Sequence, residues 1–147
     1  MRQESSLMKF RVIIPARLGS TRLPNKPLKD IEGKTLIQRV VEQASKSSAH
    51  SVHVATDSPE IENLCDQLEV NSLMTSNEHK TGSDRLAESC NLLQLNDEEL
   101  VINVQGDEPF VDPQDIDNLE FSIFVFRVVI HRHICLHTYT IMVQYGS

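Results

Sequence analysis

Four short apolar, β-branched runs, at 10–14, 51–55, 70–74 and 100–104, are separated by stretches whose apolar residues recur at helical spacing. Thr35 and Gln38 form a capping box ahead of the stripe Leu36, Ile37, Val40, Val41 and Ala44. Ser58 followed by Pro59 pairs an N-cap with a proline at the first helical position, and Ile61, Leu64, Cys65 and Leu68 follow at i, i+3, i+4 and i+7. Residues 83–93 read as a third helix, and Asp112 with Pro113 opens a fourth. This alternation admits few folds, because parallel strands need long crossovers and a helix is the usual one. It predicts a Rossmann-like α/β fold, a parallel sheet with helices on both faces. Ligands of such sheets gather beyond the carboxyl ends of the strands. Three polar segments leave strands at that edge, 15–27, Thr56 with Asp57, and 105–109, and they are expected to converge.

The first of these, "PARLGSTRLPNKPLK" at 15–29, holds four cations and no acid in a chain of formal net charge -7. An acidic chain with one cationic loop is not built for general nucleic-acid binding, which wants a basic face, so the loop is expected to meet a compact anion. Gly19, Ser20 and Thr21 would let backbone N–H groups approach phosphate oxygens while Arg17, Arg22, Lys26 and Lys29 supply charge. No Walker pattern is present. A solvated basic loop is the plainer reading, and composition alone does not choose between the two.

The second segment, "VINVQGDEP", ends an apolar strand in Asp107 and Glu108, hard carboxylates suited to Mg2+ beside phosphate oxygens. Alone it would be a strand-ending turn. Facing a cationic loop, it supplies what phosphoryl or nucleotidyl transfer requires. In "TSNEHKTGSDRLAE", residues 75–88, His79, Thr81, Ser83 and Arg85 crowd a helix entrance, where free N–H groups favour anions. Asp84 and Glu88 read there as first-turn and surface charges. At 147 residues the chain suits one domain. Cys65, Cys90 and Cys135 are odd in number and widely spaced, which suggests free thiols in a reducing compartment. No signal-like or spanning apolar run is evident, so a soluble, cytoplasmic protein without membrane or nucleic-acid partners is expected.

The blocks "VIIPARLGSTRLPNKPL", "VATD", "TSNEHKTGSDRLAE" and "VINVQGDEP", in this order and spacing, resemble the 3-deoxy-manno-octulosonate cytidylyltransferases, the CMP-Kdo synthetases. The resemblance covers about residues 8–118, the amino-terminal half of that family's usual chain. It implies a nucleotide-diphospho-sugar transferase fold and transfer of CMP from CTP to Kdo, giving CMP-Kdo and diphosphate for lipopolysaccharide synthesis. It also assigns Arg17, Ser20, Arg22 and Lys26 to CTP, Asp107 to Mg2+, and Arg85 and Gln105 to the sugar acid, with Arg17, Lys26 and Asp107 as the catalytic set. A CMP-sialate synthetase, another sugar nucleotidyltransferase, and a CTP-binding fragment without turnover are the alternatives. A homodimer stays open as the assembly.

Two departures from the resemblance stand out. Asn25 occupies a position where that family's loop usually has glycine, so a residue that enters left-handed backbone less readily must take the turn. After about residue 118 the resemblance stops: residues 1–118 read as the nucleotide-binding part and 119–147 as a divergent apolar tail. In those last 29 residues there is no Lys or Asp, yet three of the five Phe and three of the six His. The fold is therefore expected to be truncated and the tail to be an out-of-frame reading, and "FSIFVFRVVI" is expected to lack a partner strand. His131, His133, Cys135 and His137 alternate, but ligands along one rigid strand cannot easily surround zinc tetrahedrally.

Overall fold

In a computed structural model, residues 10–19, 25–79, 82–95 and 100–118 are described, together with the strand backbones of 126–130 and 133–141. The described elements run, in chain order, β1 (Phe10–Ala16), a 3-10 turn (Lys26–Leu28), β2 (Asp30–Ile31), β3 (Lys34–Thr35), α1 (Leu36–Ser45), β4 (Ser51–Thr56), α2 (Pro59–Gln67), β5 (Asn71–Met74), α3 (Gly82–Leu92), β6 (Leu100–Val104), α4 (Pro113–Asn118), β7 (Phe126–Ile130) and β8 (His133–Ile141).

The main sheet has the order β5-β4-β1-β6-β8-β7. Its first four strands are parallel, with β1 central: Ala16 lies opposite Thr56 on one side and Phe10 opposite Leu100 on the other. Side chains alternate across a strand, so β1 feeds two cores. Val12, Ile14 and Ala16 join Ile37, Val40 and Ala44 of α1, Ile61 and Cys65 of α2 and Ile116 of α4. Ile13 points to the opposite side and packs with Ala55, Val101, and Leu86 and Cys90 of α3. The sheet is thus covered on both faces, as its continuous apolar strands require.

Local chemistry sets the element ends. Thr35 Oγ1 accepts the Gln38 N–H at 3.2 Å and Ser58 Oγ the Ile61 N–H at 3.3 Å. The capping box is only half formed, because the Gln38 amide reaches forward to Glu42. Glu32 and Gly33 join β2 to β3 with φ of 53° and 89°, the positive angles of a type I′ hairpin turn. Arg39 secures this turn by donating from Nε to the Ile31 carbonyl at 2.8 Å.

The tail corrects one expectation. β8 adds to β6 in parallel, Val101 opposite Thr138, and β7 pairs antiparallel with β8. The segment expected to lack a partner strand has one in β8, which adds to β6 and offers its own edge N–H and C=O groups to a β-prone neighbour. The strand carrying His133, Cys135 and His137 belongs to this pair. Its side chains and His131 lie outside the described residues.

Candidate functional site

The basic segment leaves β1 and is tied down at both ends. Leu18 and Leu28 pack against the larger core, Pro27 is buried in the 3-10 turn, and the Asn25 N–H donates to the Leu18 carbonyl at 3.2 Å. Asn25 takes φ 61°, the left-handed conformation that its place in the loop demanded. Arg17 is exposed, and no partner for it is found among the described residues. A Cβ added to Gly19 would meet nothing within 4 Å among the described residues. Ser20 and Arg22, both assigned to CTP from the sequence, lie outside the described residues.

On the neighbouring strand β6, the Gln105 carbonyl accepts the Glu108 N–H at 3.2 Å and closes a tight turn over Gly106 and Asp107. Gly106 is pressed against β1: a Cβ there would lie 2.6 Å from the Pro15 carbonyl oxygen. This contact brings the acidic turn to the basic loop, where Lys26 Nζ stands 3.3 Å from Asp107 Oδ2. Gln105 is partly buried at the foot of the same turn. Two residues earlier, Asn103 is 6% exposed and its Oδ1 is a buried acceptor without a partner among the described residues.

The middle polar segment is drawn elsewhere. Arg85 in α3 is 3% exposed. Its Nη2 donates to Asp57 Oδ2 at 3.3 Å, after β4, and its Nη1 to Thr75 Oγ1, after β5. The Thr75 N–H in turn donates to the Thr56 carbonyl at 2.8 Å. The guanidinium expected at a sugar-acid carboxylate thus already holds Asp57 and Thr75. The first and third polar segments meet through Lys26 and Asp107, and the second leaves the sheet beside the first, Thr56 opposite Ala16, with its Asp57 side chain turned to α3.

Glu88 also departs from its reading as a surface charge. Its Oε2 accepts the Ser76 N–H at 3.0 Å and meets His79 Nε2, which clasps the loop before α3. Burial alone would raise the Glu88 pKa, but the Ser76 N–H, His79 and the charge of Arg85 together hold it below the ordinary 4.5. Sequence reasoning missed the Asp57–Arg85 pair and the Gly106 contact. The "VATD" and "QGDEP" blocks were visible, but only the strand order puts them beside their partners.

Asp107 is a hard oxygen donor, half exposed. It has room for water and phosphate oxygens around a cation, which suits Mg2+, commonly held by one or two carboxylates plus phosphates. No cluster of three or more metal-ligating side chains occurs among the described residues.

Residues 11–122 match the model of the cytidylyltransferase family. The chain belongs to this family. Among curated cytidylyltransferases it is 57% identical over 110 residues to the 3-deoxy-manno-octulosonate cytidylyltransferase of Polynucleobacter asymbioticus, covering 75% of this chain and 43% of that one. It is 50% identical over 111 residues to the enzyme of the same name from Neisseria meningitidis serogroup A, covering 76% and 44%. A solved CMP:2-keto-3-deoxy-manno-octonic acid synthetase complexed with CTP superposes with TM-score 0.72 at 42% identity, covering 78% of this chain and 46% of that one. A cytidylyltransferase from Leptospira borgpetersenii superposes with TM-score 0.66 at 22% identity over 79% of this chain and 49% of that one, a likeness of fold. This cytidylyltransferase chain spans less than half the length of the two curated relatives.

Proposed function

We propose that this chain carries the triphosphate side of a cytidylyltransferase that transfers CMP from CTP to Kdo in the cytoplasm, releasing diphosphate. The observation that carries the reading is the meeting of Lys26 with Asp107 at 3.3 Å, a phosphate-type cation and a metal-type carboxylate delivered by adjacent parallel strands to one sheet edge. The names of the relatives favour Kdo over sialate as the acceptor.

In this reading Arg17, Ser20, Arg22 and Lys26 bind the CTP phosphates, and Gln105 faces the sugar acid. The anomeric hydroxyl of Kdo attacks the α-phosphorus and loses its proton to solvent; the bond from the α-phosphorus to the bridging β-phosphate oxygen breaks and diphosphate leaves. Asp107 would hold Mg2+, which supplies positive charge beside the phosphates. Arg17 and Lys26 stabilise charge on the leaving oxygens, so catalysis is positioning and electrostatics without a covalent intermediate. The resemblance also puts Arg85 at the sugar acid, while its hydrogen bonds to Asp57 and Thr75 favour a supporting role behind the site.

A second reading is CTP binding without turnover. Release of diphosphate from CTP, Kdo and Mg2+ by the purified chain separates the two. Calorimetric titration with CTP tests what they share, and no CTP binding would overturn both.

A further inference from the structure

The parallel register places Ala16 opposite Thr56, so Arg17 and Asp57 follow next to each other as β1 and β4 leave the sheet. Neighbouring strands lie about 5 Å apart, well within reach of an arginine side chain. A carboxylate at that place is the natural partner for Arg17 and would draw its charge away from any phosphate. Yet the Asp57 carboxylate is turned to Arg85, whose side chain is 4% exposed against 20% for Asp57. The Thr75 hydroxyl fixes the other arm of the same guanidinium. Thr75 is itself tied to Thr56, the residue before Asp57.

We propose that Arg85 is a positioning residue that sequesters Asp57, so that Arg17 stays available to an anionic ligand at the sheet edge. The ligand class, a nucleoside triphosphate, rests on the function proposed above; the sequestration itself does not. The arrangement answers an electrostatic problem at this edge. A strand-end aspartate beside a triphosphate site would repel the ligand and compete for its cation, and a buried counter-charge from α3 removes both effects. Arg suits this role better than Lys because its planar fork can hold a carboxylate and a hydroxyl at once.

Three variants of the full chain separate the possibilities: Arg85→Gln, Asp57→Asn and the double substitution. CTP affinity is measured by calorimetry with Mg2+. The reactivity of Arg17 toward phenylglyoxal, located by peptide mass spectrometry, is measured with no nucleotide present. Arg85→Gln frees Asp57, so CTP should bind about tenfold more weakly, the loss of one charge-assisted hydrogen bond. Arg17 should also react more slowly. Removing the competing carboxylate in the double variant should restore both. Asp57→Asn alone should leave Arg17 reactive and CTP binding undiminished.

If Arg85 instead touches the ligand, the double variant stays as weak as Arg85→Gln. If the pair serves folding alone, Asp57→Asn is as damaging as Arg85→Gln. Either result overturns the proposal. Should Arg85→Gln not fold, circular dichroism will show it, and Asp57→Asn with the double variant still decides, because sequestration requires reactive Arg17 in both. Should wild type bind no CTP, the functional reading falls while Arg17 reactivity continues to test this one.

Discussion

Lys26 and Asp107, 81 positions apart in sequence, stand with Nζ 3.3 Å from Oδ2 at the edge where β1 and β6 end. Both side chains are more than a third exposed, so the pair itself adds about 1 kcal/mol or less to stability. Its worth is placement. Lys26→Ala should leave the melting temperature nearly unchanged while weakening CTP binding by about 1.5 to 3 kcal/mol, the value of a hydrogen bond to a charged group. Lys29, exposed just past the 3-10 turn, is the control and should matter less. Equal losses at both positions would reduce the loop to a diffuse basic surface.

Asp107→Asn keeps the shape and removes the charge. Strengthening of CTP binding by Mg2+ should largely disappear. Metal-free CTP binding should hold or improve slightly, because Lys26 is released from its partner and a negative charge leaves the phosphate side. Titrations with and without EDTA read both effects, and an unaltered magnesium dependence would remove Asp107 from the metal site.

Much of this architecture was legible in the residues. The runs in β1, β4 and β6 announced themselves by β-branching, and Thr35, Ser58 and Asp112 marked helix starts by local hydrogen bonds that need no tertiary information. The Gln114 N–H does meet Asp112 Oδ1, at 2.9 Å. What stayed hidden depends on strand order. Nothing local to Gly106 says that Pro15 will lie against it, and nothing local to Arg85 says that Asp57 will reach it before a ligand does. Glu88 looked like a surface charge because its helical position is polar, whereas its partners come from the loop ahead of α3. The pairing of β7 with β8 and of β8 with β6 was likewise invisible, since strand partnership is a nonlocal property.

The Glu88 clasp has a pH signature. Its pKa is held below the ordinary 4.5 in the folded state, with burial opposing and the Ser76 N–H, His79 and Arg85 prevailing. A depressed carboxyl contributes stability that is present above the unfolded value and is lost as pH falls through the folded one. Acid unfolding followed by circular dichroism should therefore steepen below about pH 4.5 in wild type, and Glu88→Gln should flatten that part of the curve. Identical acid limbs would mean that the clasp is energetically idle.

Cys65 tests the larger core. Burial, with Asp66 and Glu62 adding to it, pushes its thiol up to about 11, and thiolates are the reactive species. Iodoacetamide at pH 8 should therefore leave Cys65 unmodified in the native chain and alkylate it quickly in denaturant. Fast native labelling would show that α2 does not stay packed on the sheet.

Gly106 offers the sharpest test of how the site is assembled. The obstacle to a side chain there is steric: a Cβ would sit 2.6 Å from the Pro15 carbonyl oxygen and 3.6 Å from the Ala16 Cβ. Both groups belong to β1, the central strand, whose backbone is held between β4 and β6 and cannot give way cheaply. The turn at 105–108 must move instead, and it carries Asp107. Gly106→Ala should therefore destabilise the fold by about 1 to 3 kcal/mol, the usual range for overpacking. It should also separate Asp107 from Lys26. The two consequences can be read independently, melting temperature for the first and magnesium-dependent CTP binding for the second. A variant that melts lower but keeps full magnesium dependence would show that the turn relaxes without carrying Asp107 away. One that melts like wild type would show that β1 and β6 do not approach as closely as Gly106 requires.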